Sequence, residues 1–144
     1  MDILLTESNC WFLRKLNYVD AVLKLDISEG ISSSSSRDIK IDDLGTIEDC
    51  SHIEITDQSR AVQIEFCNVL AYQVTDESYF ASVNQEENKN SILCMHDKSE
   101  YLKFLMENSI IKECVDVQVR HYSLTLADDI IDVITTSEPS LKWI

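Results

Sequence analysis

The stretch Ala61–Thr75 reads A-V-Q-I-E-F-C-N-V-L-A-Y-Q-V-T, and its apolar residues recur at every second position. Val62, Ile64, Phe66, Leu70, Tyr72 and Val74 share one face with Asn68. Gln63, Glu65, Cys67, Val69, Ala71 and Gln73 share the other. Side chains alternate across a strand but spiral around a helix, so this spacing specifies a strand with one buried face. Strands usually run to only about five or six residues. A run this long therefore predicts a bend or bulge near Asn68, the one polar residue on the apolar side.

The rest of the chain has to cover that face. Val19, Ala21, Leu23, Leu25 and Ile27 alternate with polar partners and predict a second strand, while residues 2–18 fit either a short helix over Cys10–Leu16 or a continuous extended segment. Five consecutive serines, Ser32–Ser36, mark residues 29–37 as a flexible surface loop. His52–Thr56, followed by turn chemistry at Asp57–Arg60, makes residues 51–75 read as a hairpin. Tyr79, Phe80 and Val83 pin the middle of the polar stretch 76–90 to the body, and Ser91–His96 is a short strand. Asp97-Lys98-Ser99-Glu100 has the spacing of a capping box with Asp97 as cap. Tyr101, Leu102, Leu105 and Met106 then follow at helical spacing. Glu113–Leu126 returns to period two with a phase shift near Arg120-His121, and Ile130–Thr136 closes a hairpin behind Ala127-Asp128-Asp129. Leu141, Trp143 and Ile144 fold back, and Trp11 and Trp143 anchor the termini. The sum is an α+β single domain, 1–144: a mostly antiparallel sheet of about five to seven strands with one or two helices packed on one face.

Composition decides which function classes are open. The 26 acidic residues outnumber the 12 basic ones, for a net charge of −14. Phosphate backbones and anionic membranes need a basic face, so neither nucleic acid nor membrane is an expected partner. A basic protein is, because a field of this sign accelerates its encounter. With only two glycines and one proline, Gly-rich phosphate loops are excluded as well. Asp2 stands where a secretory leader is basic, and no apolar run is long enough to span a bilayer, so a cytoplasmic protein is expected. Its five cysteines are then reduced, mostly small core residues.

Four groups of residues carry chemistry worth weighing. Cys50-x-His52 and Cys94-x-His96 each place thiolate and imidazole on the same side of a strand, and together they make a Cys2His2 zinc site if the two strands are neighbours. Otherwise they are unrelated core and surface residues, and the chain holds no cofactor. His121 lies close in sequence to Asp128, Asp129 and Asp132. Such a pair serves as a general base, or else merely bridges strands. Acidic pairs recur at Asp42-Asp43, Glu48-Asp49, Asp76-Glu77, Glu86-Glu87 and Asp128-Asp129, mostly in predicted loops, where solvation explains them as simply as an acidic docking patch does. No G-x-S-x-G is present, and no cysteine stands in a catalytic context.

Phe66-Cys67-Asn68-Val69-Leu70-Ala71-Tyr72-Gln73-Val74-Thr75-Asp76-Glu77-Ser78 resembles a segment of small acidic uncharacterised bacterial cytoplasmic proteins. The later order of Ser99-Glu100-Tyr101-Leu102, His121-Tyr122 and Ile131-Asp132-Val133-Ile134 before Glu138-Pro139 has the same look. Some of those proteins resemble immunity proteins of bacterial toxin systems. The resemblance covers roughly residues 62–140 and assigns no functional residue. It implies a non-enzymatic interaction domain that masks a basic partner. The residues themselves, acidic pairs in predicted loops beside aromatics, offer Asp76, Glu77, Glu86 and Glu87 for steering and Tyr79 and Phe80 for anchoring. A small-ligand or metal-binding protein built on Cys50, His52, Cys94 and His96 is the alternative. An edge-paired homodimer fits either reading, since an open sheet leaves strand edges to cover.

Overall fold

The computed structural model describes residues 10–41, 45–81 and 92–144, without the side chains of residues 33–41 and 45–52. In chain order the elements are β1 (Trp11–Val19), β2 (Val22–Glu29), β3 (Ile31–Ile41), β4 (Gly45–Glu54), β5 (Ala61–Phe66) and β6 (Val69–Asp76). A 3-10 turn at Glu77–Tyr79 comes next. β7 (Leu93–His96), α1 (Glu100–Asn108), α2 (Ile111–Cys114), β8 (Arg120–Thr125), β9 (Asp129–Thr135) and β10 (Ser140–Trp143) complete the chain. The strands form a four-stranded sheet β1-β2-β5-β10, a hairpin β3-β4 and a second four-stranded sheet β6-β9-β8-β7. Every pairing is antiparallel, and with two short helices the fold is α+β. Among the described residues there are ten strands in three sheets, more than the five to seven expected, because the run at 61–75 divides into two and because the N-terminal segment, the serine run and the C-terminal residues form strands of their own.

The first break is the one at Asn68. β5 pairs with β2 and β10, β6 pairs with β9, and Asn68 between them sits at φ 53°. Asparagine tolerates the left-handed region better than most residues, so the strand turns there and crosses from one sheet to the other. Its Nδ2 donates to Ser137 Oγ at 2.7 Å, and the Thr135 hydroxyl donates to the Cys67 carbonyl at 2.6 Å. The crossing clamps the sheets face to face. Leu23, Leu25, Ile27, Val62, Ile64 and Phe66 from one meet Val69, Tyr122, Leu124, Ile131 and Val133 from the other in a single apolar core. Phe66 and Tyr122 approach to 5.8 Å between ring centroids.

The second break divides the run that begins at Val19. Asp20 and Ala21 both take positive φ, 51° and 63°, which closes a tight hairpin whose twist matches its strands. Val19 thus ends β1, and the extended alternative for the N-terminal segment holds over the helical one. Residues 1–9 lie outside the described residues.

Other expectations are corrected. The serine run is not a loop: it lies within β3, paired with β4 through two register shifts. Residues 51–75 are not a hairpin, because β4 pairs with β3 while β5 joins the first sheet. The turn before β5 is nonetheless present, with Thr56 N–H donating to Ser59 Oγ at 2.9 Å. The stretch 113–119 is not a strand. α2 occupies its start, and β8 begins only at Arg120, so the shift of phase there is a change of element. The cap of α1 is Ser99 rather than Asp97.

The C-terminal residues fold back onto the body as expected. β10 pairs with β5, and the Arg60 guanidinium lies 5.9 Å from the Trp11 ring and 5.6 Å from the Trp143 ring while bonding Glu29 through Nε and Nη2. One cation thereby ties β1, β2 and β10 together, by charge and by its attraction to both aromatic faces. Trp11 itself is buried.

Candidate functional site

β8 and β9 lie inside their sheet and are buried on both faces. Tyr122, Leu124, Ile131 and Val133 point into the shared core. By the period of two, His121, Ser123 and Asp132 stand on the opposite face, and all three are buried there. Antiparallel register brings Gln73, Asp132, Ser123 and Cys94 into one row across the four strands, with His121 opposite His96 one step further along. The start of α1 closes over this face.

Each polar group on that face has a partner. His121 Nε2 lies 2.7 Å from Asp132 Oδ1, and Gln73 Nε2 donates to Asp132 Oδ2 at 3.2 Å. Ser99 Oγ lies 2.5 Å from His121 Nδ1 and also accepts the Leu102 N–H at 2.9 Å as the N-cap of α1. His96 Nε2 lies 2.6 Å from Ser123 Oγ, and the His96 and His121 rings are 4.5 Å apart and tilted by 30°. Tyr101, in the first turn of α1, meets His121 edge-on at 5.6 Å. In the neutral ring the carboxylate fixes the proton on Nε2, which leaves Nδ1 to accept from the Ser99 hydroxyl. Burial by itself pushes the Asp132 carboxyl up. The hydrogen bonds from His121 and Gln73, with the charges of His121 and His96, outweigh it and hold the group below its ordinary value. The Tyr101 hydroxyl is raised, first by burial and then by the Asp132 charge.

The His121–Asp132 pair weighed from sequence is therefore made, across two adjacent strands. Asp128 and Asp129 belong elsewhere. Sequence reading missed Ser99, Ser123 and Gln73, and it assigned His96 to a metal. The signal was the second parity: Cys94 and His96, like His121 and Ser123, occupy the face opposite the apolar residues of their strands.

The acidic residues meet at a corner of the same sheet. Asp76 pairs in register with Asp129, and Glu77 N–H donates to the Asp128 carbonyl at 3.0 Å. Asp76 Oδ1 accepts from Ser78 N–H at 2.9 Å and closes the 3-10 turn that carries Tyr79. Tyr79 is 84% exposed and Phe80 45%, so neither pins this segment to the body as expected. The turn holds itself through Asp76 and needs no apolar anchor. Val83, the third residue expected to pin the stretch, and Glu86 and Glu87 lie outside the described residues.

For the zinc reading, Cys50 and His52 fall in β4, their side chains outside the described residues. β4 pairs with β3 and β7 with β8, so the two Cys-x-His strands belong to different sheets. Among the described residues no group of three or more His, Cys, Asp or Glu is arranged to hold a metal ion. Nor is any helix among them long and apolar enough to cross a membrane. Compared with protein-family models, curated proteins and solved structures, the chain matches none.

Proposed function

We propose that this chain is an interaction domain that binds a basic protein, in the manner of an immunity protein masking a basic toxin. The observation that carries the reading is Tyr79, held 84% exposed by a turn that starts from Asp76 and rests on Asp128. An aromatic ring kept in water in the same turn as Asp76 and Glu77 is an anchor flanked by steering charge, and large aromatic side chains dominate binding energy at protein interfaces. The net charge of −14 adds long-range attraction for a cationic surface.

The test is capture of a basic protein from the native cell by the wild-type chain, followed by kinetics with that protein. Tyr79→Ala should weaken binding by about 2 kcal/mol, mainly through faster dissociation. Glu77→Lys should instead slow association, and more so at low salt. Equal affinity of wild type and both variants would remove the corner from the reading.

A further inference from the structure

The row of groups under α1 goes beyond docking, and it lies away from the acidic corner. We propose that Ser99 is an acyl-accepting nucleophile, with His121 as its general base and Asp132 as the residue that positions His121. The geometry has the required order: hydroxyl to imidazole at 2.5 Å, the other ring nitrogen to carboxylate at 2.7 Å, and the second carboxylate oxygen held by Gln73 at 3.2 Å. Nucleophile, base and orienting acid in hydrogen-bond contact define an activated hydroxyl whatever their order in the chain. His121 and Asp132 are buried, while Ser99 is half-buried, so the serine is the least buried of the three.

Capping alone does not account for the arrangement. A serine N-cap needs one lone pair for the Leu102 N–H and no histidine behind it. Nor does the sheet need a charge at position 132. Ile130 and Ile134 flank it on the same face of β9 and are buried there without polar partners to satisfy. Apolar groups of similar volume are often as stable as a buried polar or charged pair, so His121 with Asp132 is a cost that packing does not require.

In the reaction, a bond forms from Ser99 Oγ to the carbonyl carbon of an ester as the hydroxyl proton passes to His121 Nδ1. The first-turn amides of Glu100 and Tyr101, which have no acceptor within the helix, are the donors this site offers to the resulting oxyanion. Collapse breaks the bond to the leaving alkoxide, which takes the proton from His121. Water then repeats the sequence, giving its proton to the ring and adding to the acyl carbon. Ser99 leaves, is reprotonated, and the carboxylic acid is released. Asp132 stays ionised throughout. With Asp97 and Glu100 flanking the serine and the whole chain at −14, the substrates are neutral or cationic esters rather than anionic ones.

The full chain is treated with a biotinylated alkyl fluorophosphonate, then read by intact mass and peptide mapping. The expected result is one adduct, on Ser99. Ser99→Asp keeps a capping acceptor beside His121 and should remain folded by circular dichroism while taking no adduct. His121→Gln should react about 100-fold more slowly, and Asp132→Asn, the second variant in case that one fails to fold, should also slow. Release of nitrophenolate from p-nitrophenyl acetate should follow the same ranking. An unmodified wild-type chain, an adduct on another residue, or wild-type reactivity in folded His121→Gln or Asp132→Asn overturns the assignment.

Discussion

The Thr135 hydroxyl donates to the Cys67 carbonyl at 2.6 Å and lies 3.2 Å from the Asn68 carbonyl, at the point where β5 becomes β6. Thr135 is fully buried, and its Oγ1 also accepts the Ser137 N–H at 3.1 Å. One side chain therefore holds the corner that joins the two large sheets. Thr135→Val keeps the shape but loses both bonds, and it should lower stability by about 1–3 kcal/mol in urea unfolding. A stability within error of wild type would mean that packing alone sets the corner.

Asn68 tests the same corner from the backbone side. Asn68→Gly should be tolerated to within about 1 kcal/mol, because glycine adopts positive φ freely. Asn68→Val should cost about 1–2 kcal/mol for its left-handed conformation, with the Ser137 bond lost in addition. Thermal denaturation of the pair checks the order, and a valine variant as stable as the glycine one contradicts it.

Gly30 is where β2 leaves the first sheet for the β3–β4 hairpin. A Cβ there would stand 2.7 Å from Phe12 Cε2 and 2.8 Å from Ile53 Cγ2. Gly30→Ala should cost about 1–3 kcal/mol, the usual penalty of overpacking. The Phe12→Leu background, which opens space at that ring, should reduce the loss.

Asp132 makes stability depend on pH in one direction. Its folded pKa lies below the ordinary 3.8, so the carboxylate stabilises the fold above that value. The contribution fades as pH falls below 3.8 and through the lower folded value. Asp132→Asn should therefore be less stable than wild type by about 1–3 kcal/mol at neutral pH. The gap should narrow under acid, and a gap constant from neutral pH down to the folded value would contradict this account.

The thiols should rank in reactivity. Burial, with the Asp128 charge, pushes Cys10 up. Cys67 is raised first by desolvation and then by its hydrogen bond to Glu65 at 3.5 Å, with the Glu65 charge only partly offset by Lys24. Cys114 is exposed. Iodoacetamide under native conditions should modify Cys114 before Cys10 and Cys67, since the thiolate is the reactive form. Peptide mapping that finds Cys67 modified first would reverse the ranking.

Local pattern went furthest where one face of an element is apolar. The alternation of Val62, Ile64 and Phe66 announced β5, Asn68 announced the bend, and Tyr101, Leu102, Leu105 and Met106 announced α1. Such signals are local: they follow from the period of a strand or a helix and from the tolerance of asparagine for positive φ. Partnership is not local. Nothing near His52 or Ala61 says that β4 turns back to β3 while β5 inserts between β2 and β10, because pairing is chosen by the whole set of apolar faces competing for burial. The same holds for the site. The sequence supplied a histidine with three aspartates within reach. Only the register of β8 against β9 selected Asp132, and only the path of the chain into α1 brought Ser99, 22 residues away from His121, onto the other ring nitrogen.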